Sequence, residues 1–193
     1  MKYRSILLFG APGVGKGTQG KILGVIPNYF HCACGDVFRN LRADSALGRL
    51  FIDYSGRGQL VPDEPTIELW QHFIENNTKA GRFHPKSDTL VLDGIPRNVQ
   101  QAKILKNTLE VVGVFYMQST DEEKLVARIQ RRAIKENRLD DANLEVIRDR
   151  LHIYENETKP VLKFYGRHLV HRINADQPPA KVLGDILRHA VQK

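Results

Sequence analysis

Gly10-Ala11-Pro12-Gly13-Val14-Gly15-Lys16-Gly17-Thr18 follows directly on the apolar run Ile6-Leu7-Leu8-Phe9, and this junction decides the fold. An apolar run of strand type feeding a glycine-rich turn reads as a strand entering a phosphate loop. Glycines at 10, 13 and 15 let the backbone turn through conformations closed to other residues, so that successive N–H groups point at one concave anion site. Lys16 adds a full positive charge. A helix expected from Thr18 to Val25 would aim its N-terminal dipole at the same anion, and the Thr18 hydroxyl could reach a phosphate-bound Mg²⁺.

Composition sets the outer limits. At 193 residues, 41% apolar and 26% charged, the chain fits one soluble domain, or a core with small insertions, and excludes disorder and collagen-like repeats. The net charge of +7 suits an anionic partner, whether nucleic acid, acidic lipid or a small polyphosphate. No apolar run reaches the length of a secretory core or a membrane span, so a cytoplasmic location without a membrane partner is expected. Cys32 and Cys34 are the only cysteines, too few and too close for a disulfide framework or a four-ligand zinc site.

Outward from the loop, strand-type runs alternate with helix-type segments. Strands are expected at Ser5–Phe9, Tyr29–Ala33, Thr89–Leu92, Val111–Met117 and Leu169–Ile173. Between them, Val37 to Gly58 reads as short helical pieces, and a helix opens at Pro62-Asp63-Glu64-Pro65 with Asp63 as its cap. Another helix carries Val99, Ala102, Leu105 and Leu109. Thr120-Asp121-Glu122-Glu123 has the spacing of a capping box and launches a helix to about Lys135. A long helix bearing Leu144, Ile147, Leu151 and Tyr154 follows, and Pro178 starts the last one. Five strands alternating with helices imply an α/β fold with a parallel sheet covered on both faces. In such sheets ligands sit beyond the carboxyl ends of the strands, where the loop, Gly35-Asp36 and Asp93-Gly94 all fall.

The charged residues at those ends are placed for phosphate. Asp93 closes a buried-type strand, a position suited to a carboxylate near Mg²⁺. Arg97 offers a guanidinium fork, and Gln101, four residues on, offers an amide on the same helix face. Arg128 and Arg132 flank the apolar stripe Leu125, Ile129 and Ala133. Two like charges at that spacing cost about 0.2–0.5 kcal/mol in an isolated helix, which an anion between them would relieve. Arg150 flanks Ile147 and Leu151, Arg138 lies in the intervening loop, and Arg131, Arg148 and the lysines read as solvated surface.

Taken together, these motifs resemble the adenylate kinases of short-lid type. Gly10 to Gln19 is similar to that family's phosphate loop, including the glycine after lysine. Leu92-Asp93-Gly94-Ile95-Pro96-Arg97 resembles its central motif, with Ile95 where an aromatic residue is usual. Gly35-Asp36 with Arg39, and Gly58-Gln59-Leu60-Val61-Pro62-Asp63, are similar to its acceptor-binding segment. Arg128 with Arg132, Arg138-Leu139-Asp140-Asp141 and Arg150-Leu151 resemble its lid and hinges. The resemblance runs through almost the whole chain.

It implies the three-layer phosphate-loop NTPase fold as one domain over 1–193, with a nucleoside-monophosphate-binding insertion at 33–62 and a short lid at 132–141. By the same resemblance Gly13, Val14, Gly15, Lys16, Gly17 and Thr18 would hold the ATP phosphates, with Arg128 on the adenine and Gln177 near it. Arg39 and Arg97 would grip the AMP phosphate. Cys34, Gln59, Leu60, Val61, Gly94, Ile95 and Pro96 would line the acceptor site, and Gln101 would read its base. Arg132, Arg138 and Arg150 would close over the transferring group beside Lys16 and Arg97, while Asp36 and Asp93 would order the water shell of Mg²⁺. The implied reaction is Mg²⁺·ATP plus AMP giving two ADP, by a monomer with small nucleotides and no nucleic acid as partners. Cys34 stands where these kinases usually carry Thr and the pyrimidine monophosphate kinases Ala, whereas Gln101 favours AMP over the Asn typical of the pyrimidine enzymes. A UMP/CMP-type kinase is therefore the alternative, followed by a nucleic-acid-binding phosphate-loop ATPase.

Overall fold

The computed structural model describes residues 2–136, 138 and 143–190. Five strands, β1 (Tyr3–Phe9), β2 (Tyr29–Ala33), β3 (Thr89–Asp93), β4 (Leu109–Gln118) and β5 (Val170–Asn174), form one sheet in the order β2-β3-β1-β4-β5. All pairings are parallel. β1 is therefore central, and the register sets Leu8 beside Asp93 and Ala33 beside Asp93 on the far side. The phosphate loop, the segment that follows Ala33 and the Asp93 carboxylate thus share one end of the sheet.

Alternation along β1 sends Leu7 and Phe9 into one core and Ile6 and Leu8 into the other. On the first face pack α4 (Asp63–Lys79), α5 (Val99–Leu105) and α8 (Val161–Tyr165), with Trp70, Ile74, Leu105 and Val161 buried. On the second, α1 (Lys16–Leu23), α6 (Glu122–Glu136), α7 (Leu144–Ile153) and α9 (Pro179–Ala190) contribute Leu23, Ile129, Ile147 and Ile186. Two short helices, α2 (Cys34–Arg39) and α3 (Ala46–Gly56), stand between β2 and α4, and Phe38 stacks on Phe51 to join them. On the second face β2 meets α1 unusually closely: the His31 imidazole fills the space that a Cβ on Gly20 would need, and a Cβ on Gly24 would lie 2.7 Å from the Cβ of His31.

Several boundaries differ from the expectations. α1 opens at Lys16, with Gly15 in a left-handed conformation (φ 106°) before it, so the helix begins inside the loop and ends at Leu23. Asp63 does not cap α4, whose preceding residue is Pro62; the carboxylate points across to α5. Asp121, not Thr120, caps α6, because its Oδ1 accepts the Lys124 N–H at 3.0 Å while Thr120 turns to Asp176. Leu109 begins β4 instead of ending α5. Leu144 is exposed, and the long helix ends at Ile153 before a π-helical turn over Tyr154–Thr158. Among the described residues, no helix is long and apolar enough to cross a membrane.

Candidate active site

A cavity of about 470 Å³ runs along the carboxyl ends of β1, β2 and β3. Every site residue expected from the sequence lines it, from Gly13 through Thr18 to Arg150 and Gln177, with one exception. Ile95 is turned into the core and is 1% exposed, because its neighbours Gly94 and Pro96 carry the wall there. Leu139, Asp140 and Asp141 of the expected lid lie outside the described residues.

The phosphate loop is built by close packing as well as by turns. A Cβ on Gly13 (φ 80°) would meet the Leu125 carbonyl oxygen at 2.7 Å and Ile129 Cγ1 at 2.9 Å, so only glycine lets α6 press against the loop. Lys16 curls back, its Nζ donating to the carbonyls of Gly10 (2.8 Å) and Ala11 (3.1 Å). Burial lowers its pKa to about 8; the Asp93 carboxylate opposes that shift, and Arg97, Arg132 and Arg150 add to it. A buried cation facing three more cations is short of negative charge, which phosphates would supply.

Opposite the loop stands an arc of arginines. Arg97 Nε donates to the Gly94 carbonyl at 3.1 Å, which aims the guanidinium back over the turn after β3. Arg39 Nη1 and Arg138 Nη2 both bond Asp36 Oδ1, at 3.0 and 3.1 Å, and Arg138 Nε also meets Glu136 at 2.6 Å. Asp36 therefore joins α2 to Arg138, 102 positions away. Arg128, Arg132 and Arg150 are half-buried against the cavity, whereas Arg131 and Arg148 are exposed. Gly58, with φ 69°, lets the segment between α3 and α4 touch α7, since a Cβ there would lie 3.0 Å from the Val146 carbonyl and 3.2 Å from Arg150 Cγ.

Gln101 and Gln177 also line the cavity. Gln101 is 1% exposed; its Oε1 accepts the Arg97 N–H at 2.7 Å and its Nε2 donates to Asp63 Oδ1 at 2.9 Å. Gln177 donates to Asp185 Oδ2 at 2.6 Å. Nearby, Asp176 accepts from the Ser119 hydroxyl (2.6 Å) and the Thr120 N–H (2.9 Å), fastening the loop after β5 to the loop after β4. Asp176 and Asp185 were not legible as site-supporting residues, and Asp63 stood in the Gly58 to Asp63 stretch without its tie to Gln101: Asp176 lies in a bend and Asp185 in mid-helix, with partners on another loop or eight residues away. Cys34 is buried, and desolvation pushes its thiol up to about 11, with Arg97 opposing and Asp93 adding.

Among the described residues, no three His, Cys, Asp or Glu side chains converge as a metal cage. The donors present are one carboxylate, Asp93, whose Oδ2 lies 3.6 Å from the Cβ position of Gly17, and the Thr18 hydroxyl. That set fits Mg²⁺, which keeps several waters and is commonly held by one or two carboxylates together with substrate phosphates. Asp36 is engaged by two guanidinium groups instead.

A central-strand phosphate loop with a desolvated lysine, faced across one cavity by arginines from α2, α6, α7 and the loops after β3 and α6, defines a phosphate-loop enzyme of nucleotide phosphotransfer. The comparisons with known proteins narrow that class. The adenylate kinase family model matches residues 8–170. Adenylate kinases of Parabacteroides distasonis (35% identical, covering 86% of this chain and 87% of the relative), Thermobifida fusca (38%, 92% and 93%) and a Cyanothece species (38%, 97% and 95%) are similar along nearly their whole lengths. The chain belongs to the adenylate kinase family, and the pyrimidine-kinase and nucleic-acid readings are not favoured.

Proposed function

We propose that the chain transfers the γ-phosphoryl group of Mg²⁺·ATP to AMP, giving two ADP, as a cytoplasmic monomer that balances adenine nucleotides. The observation that carries this reading is one cavity that brings the phosphate loop and Lys16 together with Arg39, Arg97, Arg128, Arg132, Arg138 and Arg150 and with the amides of Gln101 and Gln177. The phosphate loop and Lys16 would hold the donor phosphates, with Arg128 and Gln177 at its base. Arg39 and Arg97 would hold the acceptor phosphate, with Gln59, Leu60, Val61 and Gln101 along its base. Arg132, Arg138 and Arg150 would complete the charge around the group in flight.

Phosphoryl transfer needs alignment and neutralised equatorial oxygens more than a base, and no general base is required of these residues. Mg²⁺, when bound, would neutralise and orient the donor phosphates, with Asp93 and Thr18 available to its water shell and Asp36 beyond them. The insertion at 33–62 and the lid at 132–141 would close over both nucleotides to exclude water as a competing acceptor.

Incubation with Mg²⁺·ATP and, separately, AMP, CMP, UMP, GMP or no acceptor tests the reading by following diphosphate formation. Rapid turnover with AMP and little ATP hydrolysis without it is expected. Preference for UMP or CMP would replace AMP as the acceptor, and acceptor-independent hydrolysis would overturn phosphotransfer.

A further inference from the structure

Gln101 carries an amide, and an amide turned by 180° presents the opposite hydrogen-bonding pattern. Here the turn is blocked from both sides. Oε1 accepts the Arg97 N–H, so an NH₂ group in its place would face another donor. Nε2 donates to Asp63 Oδ1, so an oxygen in its place would face an acceptor-only carboxylate. Asp63 is itself held, because the same Oδ1 accepts from Asn98 Nδ2 at 2.8 Å, and Asn98 Oδ1 accepts the Gln101 backbone N–H at 2.8 Å. Three side chains thus close a ring around one orientation of one amide, in a place that is almost fully buried.

What remains on Gln101 is one N–H and one lone pair. A 6-aminopurine edge offers the complement, an amino donor at N6 beside an acceptor at N1, and a 6-oxopurine edge offers the reverse, an acceptor at O6 beside N1–H. We propose that Asp63 is a positioning residue that makes the acceptor site select 6-amino over 6-oxo purine nucleotides by fixing the Gln101 amide in one orientation. The inference rests on the phosphotransfer reading for its substrate and adds the element that enforces the choice. Cytosine has the amino-purine order and uracil the oxo-purine order, so Asp63 also rejects UMP, while CMP is left to be discriminated by ring size.

The test compares AMP with IMP, which differ only at the 6-position and in the N1 proton that follows from it. kcat/KM with Mg²⁺·ATP, and direct binding by calorimetry, are measured for the wild type, Asp63→Ala and Asp63→Asn. The Ala variant is expected to lower the AMP:IMP ratio by roughly tenfold or more, within the discrimination that a bidentate amide–adenine pair provides. The change should fall on the acceptor KM and leave the KM for ATP in place. Asn keeps a carbonyl acceptor toward Asn98 and Gln101, so it should restore most of the ratio. A proportional loss for both acceptors, with the ratio unchanged, would mean that Asp63 only supports the fold and would overturn the proposal. If Asp63→Ala does not fold, hydrogen exchange of the wild-type Gln101 side-chain amide decides without nucleotide: slow exchange supports a pinned amide, and exchange as fast as an exposed glutamine's overturns it. AMP-over-IMP binding without any ADP formation would instead break the phosphotransfer reading and leave the role of Asp63 standing.

Discussion

Lys16 and Arg138 are cations facing the same cavity, and their surroundings treat them in opposite ways. Lys16 is enclosed by carbonyls, with its ammonium on Gly10 and Ala11 and its pKa driven down to about 8 by burial. Arg138, with a side chain only 13% exposed, is matched by two carboxylates, Asp36 and Glu136. The loop holds an under-compensated charge in a rigid frame, so an arriving phosphate relieves a cost already present. Arg138, and Arg39 beside it on Asp36, hold compensated charge, so a phosphate arriving there must displace a carboxylate.

The largest effect should come from removing either charge at the centre. Lys16→Met and Arg97→Ala should each lower kcat/KM on the order of a thousandfold, comparable to deleting one stabiliser of developing negative charge. A loss under tenfold for either one would remove that residue from the transition state.

Stability should respond in the opposite sense at Lys16. The unfolded chain keeps this proton up to about 10.5 and the folded chain only up to about 8. The unfolded state therefore binds more protons between those values, and the stability contribution from Lys16 rises with pH across that window. Below pH 8 the full cost is present, about 3 kcal/mol by linkage. Urea unfolding without nucleotide should find Lys16→Met more stable than the wild type at pH 7, with the gap closing toward pH 10.5. An equal gap at both ends would show that the lysine is not strained.

At the compensated end the effects shrink. Asp36→Asn should lower the KM for AMP about two- to fivefold at low salt, since a partly exposed ion pair contributes only about 1 kcal/mol or less. A fall in kcat with KM unmoved would instead assign Asp36 to the water shell of Mg²⁺. Smallest is Cys34→Thr, which exchanges a weak donor for a hydroxyl in the acceptor wall. About a threefold lower KM for AMP is expected from one added neutral hydrogen bond, and steady-state kinetics would detect its absence.

The sheet was legible because Ile6 to Phe9, Leu90 to Leu92 and Val114 to Met117 bury both faces and so appear as unbroken apolar runs. The cavity's lining was legible too, because the loop, Asp93 to Arg97 and the arginines carry their chemistry in local spacing. The supporting bonds were not. Asp63 has the local features of a helix cap and becomes an anchor for Gln101 only when α4 and α5 are packed together. Thr120 and Asp121 offer two caps one residue apart, and Asp176, on another loop, decides between them. Ile95 looks like part of the acceptor wall by sequence position, and the backbone turn after Asp93 sends it inward.

The contact of His31 with Gly20 and Gly24 bears on how the sequence can drift. The imidazole occupies volume that any larger residue at position 20 would claim, the Cβ of His31 occupies that volume at position 24, and among the described residues the imidazole Nε2 makes no hydrogen bond. Positions 20, 24 and 31 are therefore one unit of variation and not three. A methyl group gained on the helix requires bulk to be surrendered on the strand, so a single substitution passes through a clash that a paired exchange avoids. Relatives with a small residue at the position of His31 are where alanine or serine should be tolerated at position 20, while position 24 should open only where position 31 is glycine, and the trade can be read by aligning those three columns alone.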